Sequence, residues 1–166
     1  MIPEPLHPAV VHFPLVLAFL LPIFAAGALW AIGRGTRPRR AWAIPLGLAL
    51  ALTVSAWAAL VTGEAEEERV ESVVGEAALH AHEEAAERFL VLSGLVLVVA
   101  GAGLLRGTPG TAARGLATAG SLVVLVAAAW VGKAGGELVY RHGAAQPYVA
   151  ASPTAVPVRG GERDDD

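Results

Sequence analysis

Residues 8–32 read PAVVHFPLVLAFLLPIFAAGALWAI and contain no Asp, Glu, Lys or Arg. As an α-helix this stretch is about 37 Å long, enough to cross the hydrocarbon core of a bilayer, which is about 30 Å thick. Comparable apolar stretches lie near residues 41–62, 85–105 and 115–136. None shows the two-residue alternation of a barrel strand, and the first lacks the basic segment that opens a cleaved signal peptide. The sequence therefore predicts an all-α integral membrane protein with a bundle of four spanning helices.

The composition of the chain agrees with a membrane location. Of its 166 residues 55% are hydrophobic and only 16% are charged, which leaves too little polar surface to enclose a soluble core. The chain has no cysteine, so disulfides, thiolate zinc sites, cysteine-ligated iron–sulfur clusters and covalent c-type haem are excluded. A net charge of -3 argues against a nucleic-acid partner. The expected partner of most of the surface is the lipid bilayer.

The distribution of charge predicts the orientation of the bundle. Short loops rich in Arg and Lys stay in the cytoplasm. The first and third loops contain basic residues and no acid: Arg34, Arg37, Arg39 and Arg40, then Arg106 and Arg114. We therefore expect a multi-pass protein of the inner (cytoplasmic) membrane with both termini on the periplasmic or extracellular side.

Two further segments complete the predicted organisation. The charged connection at 63–84 lacks proline and has spacing typical of a helix, so it predicts a helical cap on the outer face that runs into span three. Residues 1–143 then form the membrane domain. Residues 144–166 are rich in Pro, Ala, Ser and Gly, end in an acidic run, and predict a disordered tail.

Five histidines are expected at the outer end of the bundle, delivered by three different helices: His7, His12, His80, His82 and His142. Helical spacing places His82 above small and apolar residues and His80 among carboxylates, so His82 should point inward and His80 toward water. If the fourth helix continues past Gly136, His142 also points inward. His12, two residues before Pro14, is a better ligand candidate than His7, because the proline opens the helix there.

Several segments together resemble the bacterial membrane-protein family known as domain of unknown function 2231. They are LHPAVVHFPLVL at 6–17, TGEAEEERV at 62–70, HEEAAE at 82–87 and GGELVYRHG at 135–143. The resemblance implies a four-helix membrane domain whose motif histidines correspond to His7, His12, His82 and His142. Some relatives resemble domains joined to Rieske-type modules, which implies a redox setting with the redox partner on another subunit.

The leading functional hypothesis is a b-type haem held by two imidazoles, from His12 and His82 or from His82 and His142. His7 is a further candidate ligand. Such a protein would transfer electrons and perform no substrate chemistry of its own. Lys133 and Arg141 are candidates for pairing with haem propionates, although with Glu137 they also suit simple anchoring at the interface.

Two alternatives remain open. A transition-metal ion would use His7, His12, His82 and His142, with Glu83 or Glu67 as an oxygen ligand or supporting group. A structural membrane subunit would use its histidines only to cap helix ends. Enzyme hypotheses rank lower, because no nucleophile–histidine pair, phosphate loop or HExxH motif is present. The spacing of Gly132 and Gly136 is compatible with a homodimer but more often serves packing within a bundle.

Overall fold

The structure is a computed structural model. It describes residues 5–150, except for the side chain of Ala150. Helices occupy most of this range: α1 His7–Val10, α2 His12–Gly33, α3 Pro38–Glu64, α4 Glu67–Val74, α5 Glu76–Ala102, α6 Gly107–Tyr140 and α7 Gln146–Ala150. The described residues contain no strand. Four segments are long and apolar enough to cross a membrane: α1 and α2 taken together, α3, α5 and α6. This confirms the predicted class, a bundle of four spanning helices.

The four long helices form a ring in which α2 and α5 each pack against both α3 and α6. Neighbours in the ring run in opposite directions. The start of α3 meets the end of α5, where Trp42 Nε1 donates a hydrogen bond of 2.9 Å to Ala100 O. The start of α1 meets the end of α3, where His7 contacts Ala59. The result is an up-down-up-down bundle.

The core is a narrow seam of buried residues that are three, four or seven positions apart along each helix. The buried positions are Ala18, Leu21, Ala25 and Ala28 in α2, Trp42, Ala49, Leu52, Ala56 and Ala59 in α3, Phe89, Val96 and Ala100 in α5, and Ala117, Val124 and Ala128 in α6. This spacing is the one that antiparallel bundles use for helix contacts. Many of these residues are alanines, and small side chains let helix backbones approach closely in a membrane.

The outer surface of the bundle is apolar, as a lipid-facing surface must be. Large side chains such as Phe19, Trp57, Val98 and Val126 are exposed. The buried hydroxyls of Ser93 and Ser121 donate to carbonyls of their own helices, over 2.8 Å and 2.6 Å. Backbone groups bonded within helices and outward apolar side chains are what a bilayer requires.

Prolines account for the irregular start of the first span. α1 ends at Val10, Val11 lies in a turn and α2 begins at His12. Pro14 has no N–H to donate to Val10 O, so one hydrogen bond between successive turns is missing at this point. The expected irregularity at this helix entry is confirmed.

The helices differ from the predicted boundaries in three places. The connection at 63–84 is helical in two pieces, because Gly75 has a φ of 81° and separates α4 from α5, so half of the expected cap is the first part of α5. Arg114 was expected in a loop but lies inside α6, which begins seven residues earlier at Gly107. Part of the expected disordered tail is the short helix α7, and residues 151–166 lie outside the described residues.

Candidate functional site

One end of the bundle, here called the histidine end, gathers the starts of α1 and α5 with the ends of α3 and α6. The antiparallel order of the helices brings these four segments together although they are far apart in the chain. At this end His7 from α1 and His82 from α5 lie side by side, with ring centroids 6.3 Å apart and ring planes at 87°. The expected meeting of imidazoles from separate helices is therefore found for this pair.

The His7 ring is held by the end of α3. Its Nδ1 lies 2.8 Å from Ala59 O and 3.4 Å from Thr62 Oγ1. A carbonyl oxygen can only accept, so His7 Nδ1 carries the proton and Nε2 is left with the lone pair. The ring lies almost on the backbone of α3, since a Cβ added at Gly63 would be 3.1 Å from His7 Cε1. Glycine at this position therefore makes room for the imidazole.

The His82 ring lies against α6 in a similar way. A Cβ added at Gly135 would be 3.2 Å from His82 Cε1. His82 Nδ1 is fully buried and has no hydrogen-bond partner among the described residues. A buried nitrogen without a partner is costly, and in native proteins such an atom often belongs to a binding site. The expectation that His82 points inward is confirmed.

Glu66 holds the start of α1 in place. Its Oε1 accepts the backbone N–H groups of Leu6 and His7, over 2.6 Å and 3.1 Å, and its Oε2 accepts from the Tyr148 hydroxyl over 3.1 Å. A carboxylate at a helix start satisfies N–H groups that have no partner within the helix and interacts favourably with the helix dipole. Glu66 was not singled out from the sequence, where it is one of several acids in the TGEAEEERV segment.

The other histidines are not part of this pair. His12 and His142 are exposed. The expectation that His142 points inward is wrong, and His12, the preferred ligand candidate of the first span, does not face the core. His12 precedes the buried Pro14 by two residues, or about 200° around the helix, which turns it away from the core. His142 lies beyond the end of α6 at Tyr140, so the helical spacing used to orient it no longer applies. His80 is exposed, as expected.

The remaining candidate residues occupy two other places. Lys133 and Arg141 are exposed, and their side chains lie 3.9 Å and 3.4 Å from Glu137 Oε1, so both form ion pairs with Glu137. Glu67 and Glu83 line a separate pocket of about 120 Å³ together with His80. Within residues 5–150 no three His, Asp or Glu side chains are arranged to hold a metal ion. The four-histidine cage with a carboxylate is therefore not found in the described part of the chain.

A family model described as "Predicted membrane protein (DUF2231)" matches residues 3–146. The chain belongs to this family. The DUF2231 match covers every helix of the bundle and both histidines of the pair, and it confirms the resemblance found in the sequence motifs. No curated protein and no solved structure matches this DUF2231 chain significantly.

Proposed function

We propose that this DUF2231 protein binds a transition-metal centre through His7 and His82 at the histidine end. The observation that carries the proposal is the buried Nδ1 of His82, which has no partner among the described residues and lies beside a second imidazole. A metal bound there would satisfy this nitrogen. Imidazole nitrogen is a common ligand of iron, copper, nickel and zinc.

The surroundings of His7 support a ligand role. Metal-bound histidines usually donate their second ring N–H to a carbonyl or carboxylate, which fixes the tautomer and the ring orientation. The bond from His7 Nδ1 to Ala59 O has this form and directs the lone pair to Nε2. Glu66 fixes the backbone of the same residue, so the ring is held from two sides.

The number of ligands favours haem b over a bare ion. The two ring centroids are 6.3 Å apart, and with metal–nitrogen bonds of about 2 Å both His7 and His82 would be able to hold one iron. Porphyrin supplies four of the six ligands of haem iron, so two histidines complete the set. A bare ion would need further ligands, and the predicted carboxylates Glu67 and Glu83 line a different pocket.

Haem, when bound, supplies one-electron chemistry, and on this proposal the protein transfers electrons to or from a redox partner. The role of the chain is to hold two imidazoles at a fixed separation at the end of an apolar bundle. Lys133 and Arg141 are already paired with Glu137, so they are not required as partners of the propionates.

The competing hypothesis is that both histidines are structural, and one contact favours it. The His7–Ala59 bond by itself attaches α1 to α3 and needs no metal. Under this hypothesis His7→Gln lowers the free energy of unfolding, and the purified protein contains neither haem nor metal.

The deciding experiment is to purify the full chain in mild detergent from haem-replete, metal-supplied cells. We expect a reduced-minus-oxidised spectrum with the sharp Soret and α bands of a bis-imidazole b haem, and about one iron per chain. His82→Ala should remove both. His80→Ala, two residues away and exposed, is the matched control and should retain both.

Three results have different meanings. Bound zinc, copper or nickel without haem would overturn the haem assignment and keep the metal site, provided that His82→Ala abolishes the binding. A colourless, metal-free protein would overturn the whole proposal in favour of the structural role. Equal loss of haem in the His80→Ala control would show that the site lies elsewhere.

A further inference from the structure

The end of the bundle opposite the histidines carries a pocket lined by arginines. It has a volume of about 350 Å³ and lies where α3 and α6 begin. The basic residues that line it are Arg37, Arg39, Arg40, Arg106 and Arg114. We call this feature the arginine pocket.

The arginine pocket has no carboxylate to balance its charge within the described chain. The sequence contains no Asp or Glu between residues 5 and 63 or between 88 and 136, and these ranges include every residue that lines the pocket. In residues 5–150, ion pairs between Arg or Lys and Glu occur at or near the histidine end. Five positive charges therefore face one small volume without a protein counter-ion.

Arg114 is the least expected of these residues, because its side chain is buried. Only 5% of its surface is exposed. Its Nε donates to Gly103 O over 2.8 Å and its Nη2 to Leu105 O over 3.4 Å. These carbonyls lie just past the end of α5, where the helix dipole favours a cation, so they offset part of the charge. Arg114 still has no acidic partner among the described residues.

Two helix starts add to the positive potential of the pocket. α3 begins at Pro38 and α6 at Gly107, and both residues line the pocket. Neither helix has a side-chain cap or an acid in its first turn. Pro38 and Pro109 have no N–H group, and the Arg40 N–H donates to Arg37 O, so few first-turn N–H groups are available to a ligand. The positive end of each helix dipole still favours an anion there.

A role in topology alone does not account for this arrangement. Arginines that orient a membrane protein act as exposed charges in a cytoplasmic loop, and burial of Arg114 inside α6 adds nothing to that role. A bound anion accounts for five arginines that line one pocket without an acid, beside two helix starts that have no acidic cap.

We propose that the arginine pocket binds the phosphate group of an anionic phospholipid. Phosphate accepts several guanidinium bonds at once, in the bidentate geometry that arginine favours. Leu105, which lines the pocket, is 53% exposed, and Leu116 and Ile44 on the adjoining helices are 64% and 56% exposed. The pocket thus opens next to surfaces that face acyl chains, where basic sites between membrane helices hold lipid headgroups.

The test is native mass spectrometry of the detergent-purified full chain, titrated with phosphatidylglycerol, phosphatidylcholine or inorganic phosphate. We expect phosphatidylglycerol to bind at least ten-fold more tightly than phosphatidylcholine. Replacing Arg40 and Arg106 together by Gln should weaken phosphatidylglycerol binding by roughly 30-fold, about five-fold for each charge. Both side chains are exposed, so the fold should tolerate the change.

Arg34→Gln is the matched control. Arg34 lies close to the same end of the bundle but stacks on Trp30, with its guanidinium carbon 5.1 Å from the ring centroid, and it does not line the pocket. Its replacement should change binding by less than two-fold. Equal binding of the two lipids, or equal loss in control and double variant, would overturn the proposal. Binding of inorganic phosphate with no preference for phosphatidylglycerol would overturn the lipid as the source of the phosphate.

Discussion

The contact between Gly103 and Trp42 offers a sharp test of the helix packing at the end of the bundle that carries the arginine pocket. Trp42 is completely buried, and its Nε1 donates to Ala100 O. A Cβ added at Gly103 would lie 2.3 Å from Trp42 Nε1 and 2.8 Å from Ala100 O, distances at which atoms cannot remain in place. In Gly103→Ala the indole must move, and the hydrogen bond between α3 and α5 must lengthen or break.

The expected cost follows from these two effects. Overpacking a core typically costs about 1–3 kcal/mol, and a hydrogen bond between membrane helices contributes roughly 0.6 kcal/mol, at most about 1.7. Gly103 follows the last residue of α5, so the helix propensity of alanine offsets little of this cost. We therefore expect Gly103→Ala to lower the free energy of unfolding by about 1–3 kcal/mol.

The assay is reversible unfolding in mixed micelles with increasing SDS, followed by circular dichroism. Gly101→Ala is the matched control. Gly101 lies two residues before Gly103, in the last turn of α5, and a Cβ added there meets nothing within 4 Å. This control should be neutral or slightly stabilising. In a double-mutant cycle, Trp42→Phe should reduce the cost of Gly103→Ala, since the smaller ring leaves room for the new methyl group. Equal stability of the two alanine variants, or strict additivity in the cycle, would refute this account of the contact.

Other predictions concern the histidine end. Glu66→Ala removes the acceptor for the start of α1, and it should lower the free energy of unfolding by about 1–2 kcal/mol and speed hydrogen exchange over residues 6–11. Replacement of the exposed Glu68 by Ala should change neither quantity. Unchanged exchange in Glu66→Ala would contradict the anchoring role. Gly135→Ala should displace the neighbouring imidazole by a few tenths of an ångström and reduce the metal or haem bound per chain, whereas Gly136→Ala, where a Cβ meets nothing within 4 Å, should not. Glu137→Gln should cost less than about 0.5 kcal/mol in the same SDS titration, because exposed ion pairs contribute little; a cost above 1 kcal/mol would indicate a buried role.

The class of fold was predictable because the bilayer imposes a length on each apolar segment. Four stretches of sufficient length, without charge in their centres, correspond to the four long helices, although the helices extend beyond the stretches at several ends. Because successive spans run in opposite directions, the first and third spans start at the same end of the bundle, which places the start of α1 near the start of α5. The meeting of His7 with His82 followed from this topology, although the favoured ligand in the first span was His12.

The direction in which individual side chains point was harder to predict, because the spacing of residues in a sequence does not show where a helix ends. His12 lies two residues from the buried Pro14 and therefore faces away from the core. His142 lies beyond the end of α6 at Tyr140, where helical spacing no longer applies. Arg114 was assigned to a loop because of its charge, since buried arginine is rare without a partner. Glu66 could not be distinguished from its acidic neighbours, because its role depends on α1 folding back onto the end of α3.

The alanine seam has a consequence for communication between the two ends. Ala18, Ala25, Ala49 and Ala128 are almost completely buried, so the helices touch along the axis of the bundle. A chain of water molecules or a proton path needs polar groups along its length, and most of the buried side chains here are apolar, while the Ser93 and Ser121 hydroxyls are bonded within their own helices. If both proposals hold, a lipid bound in the arginine pocket would influence a metal at the histidine end through small sliding or tilting of the packed helices.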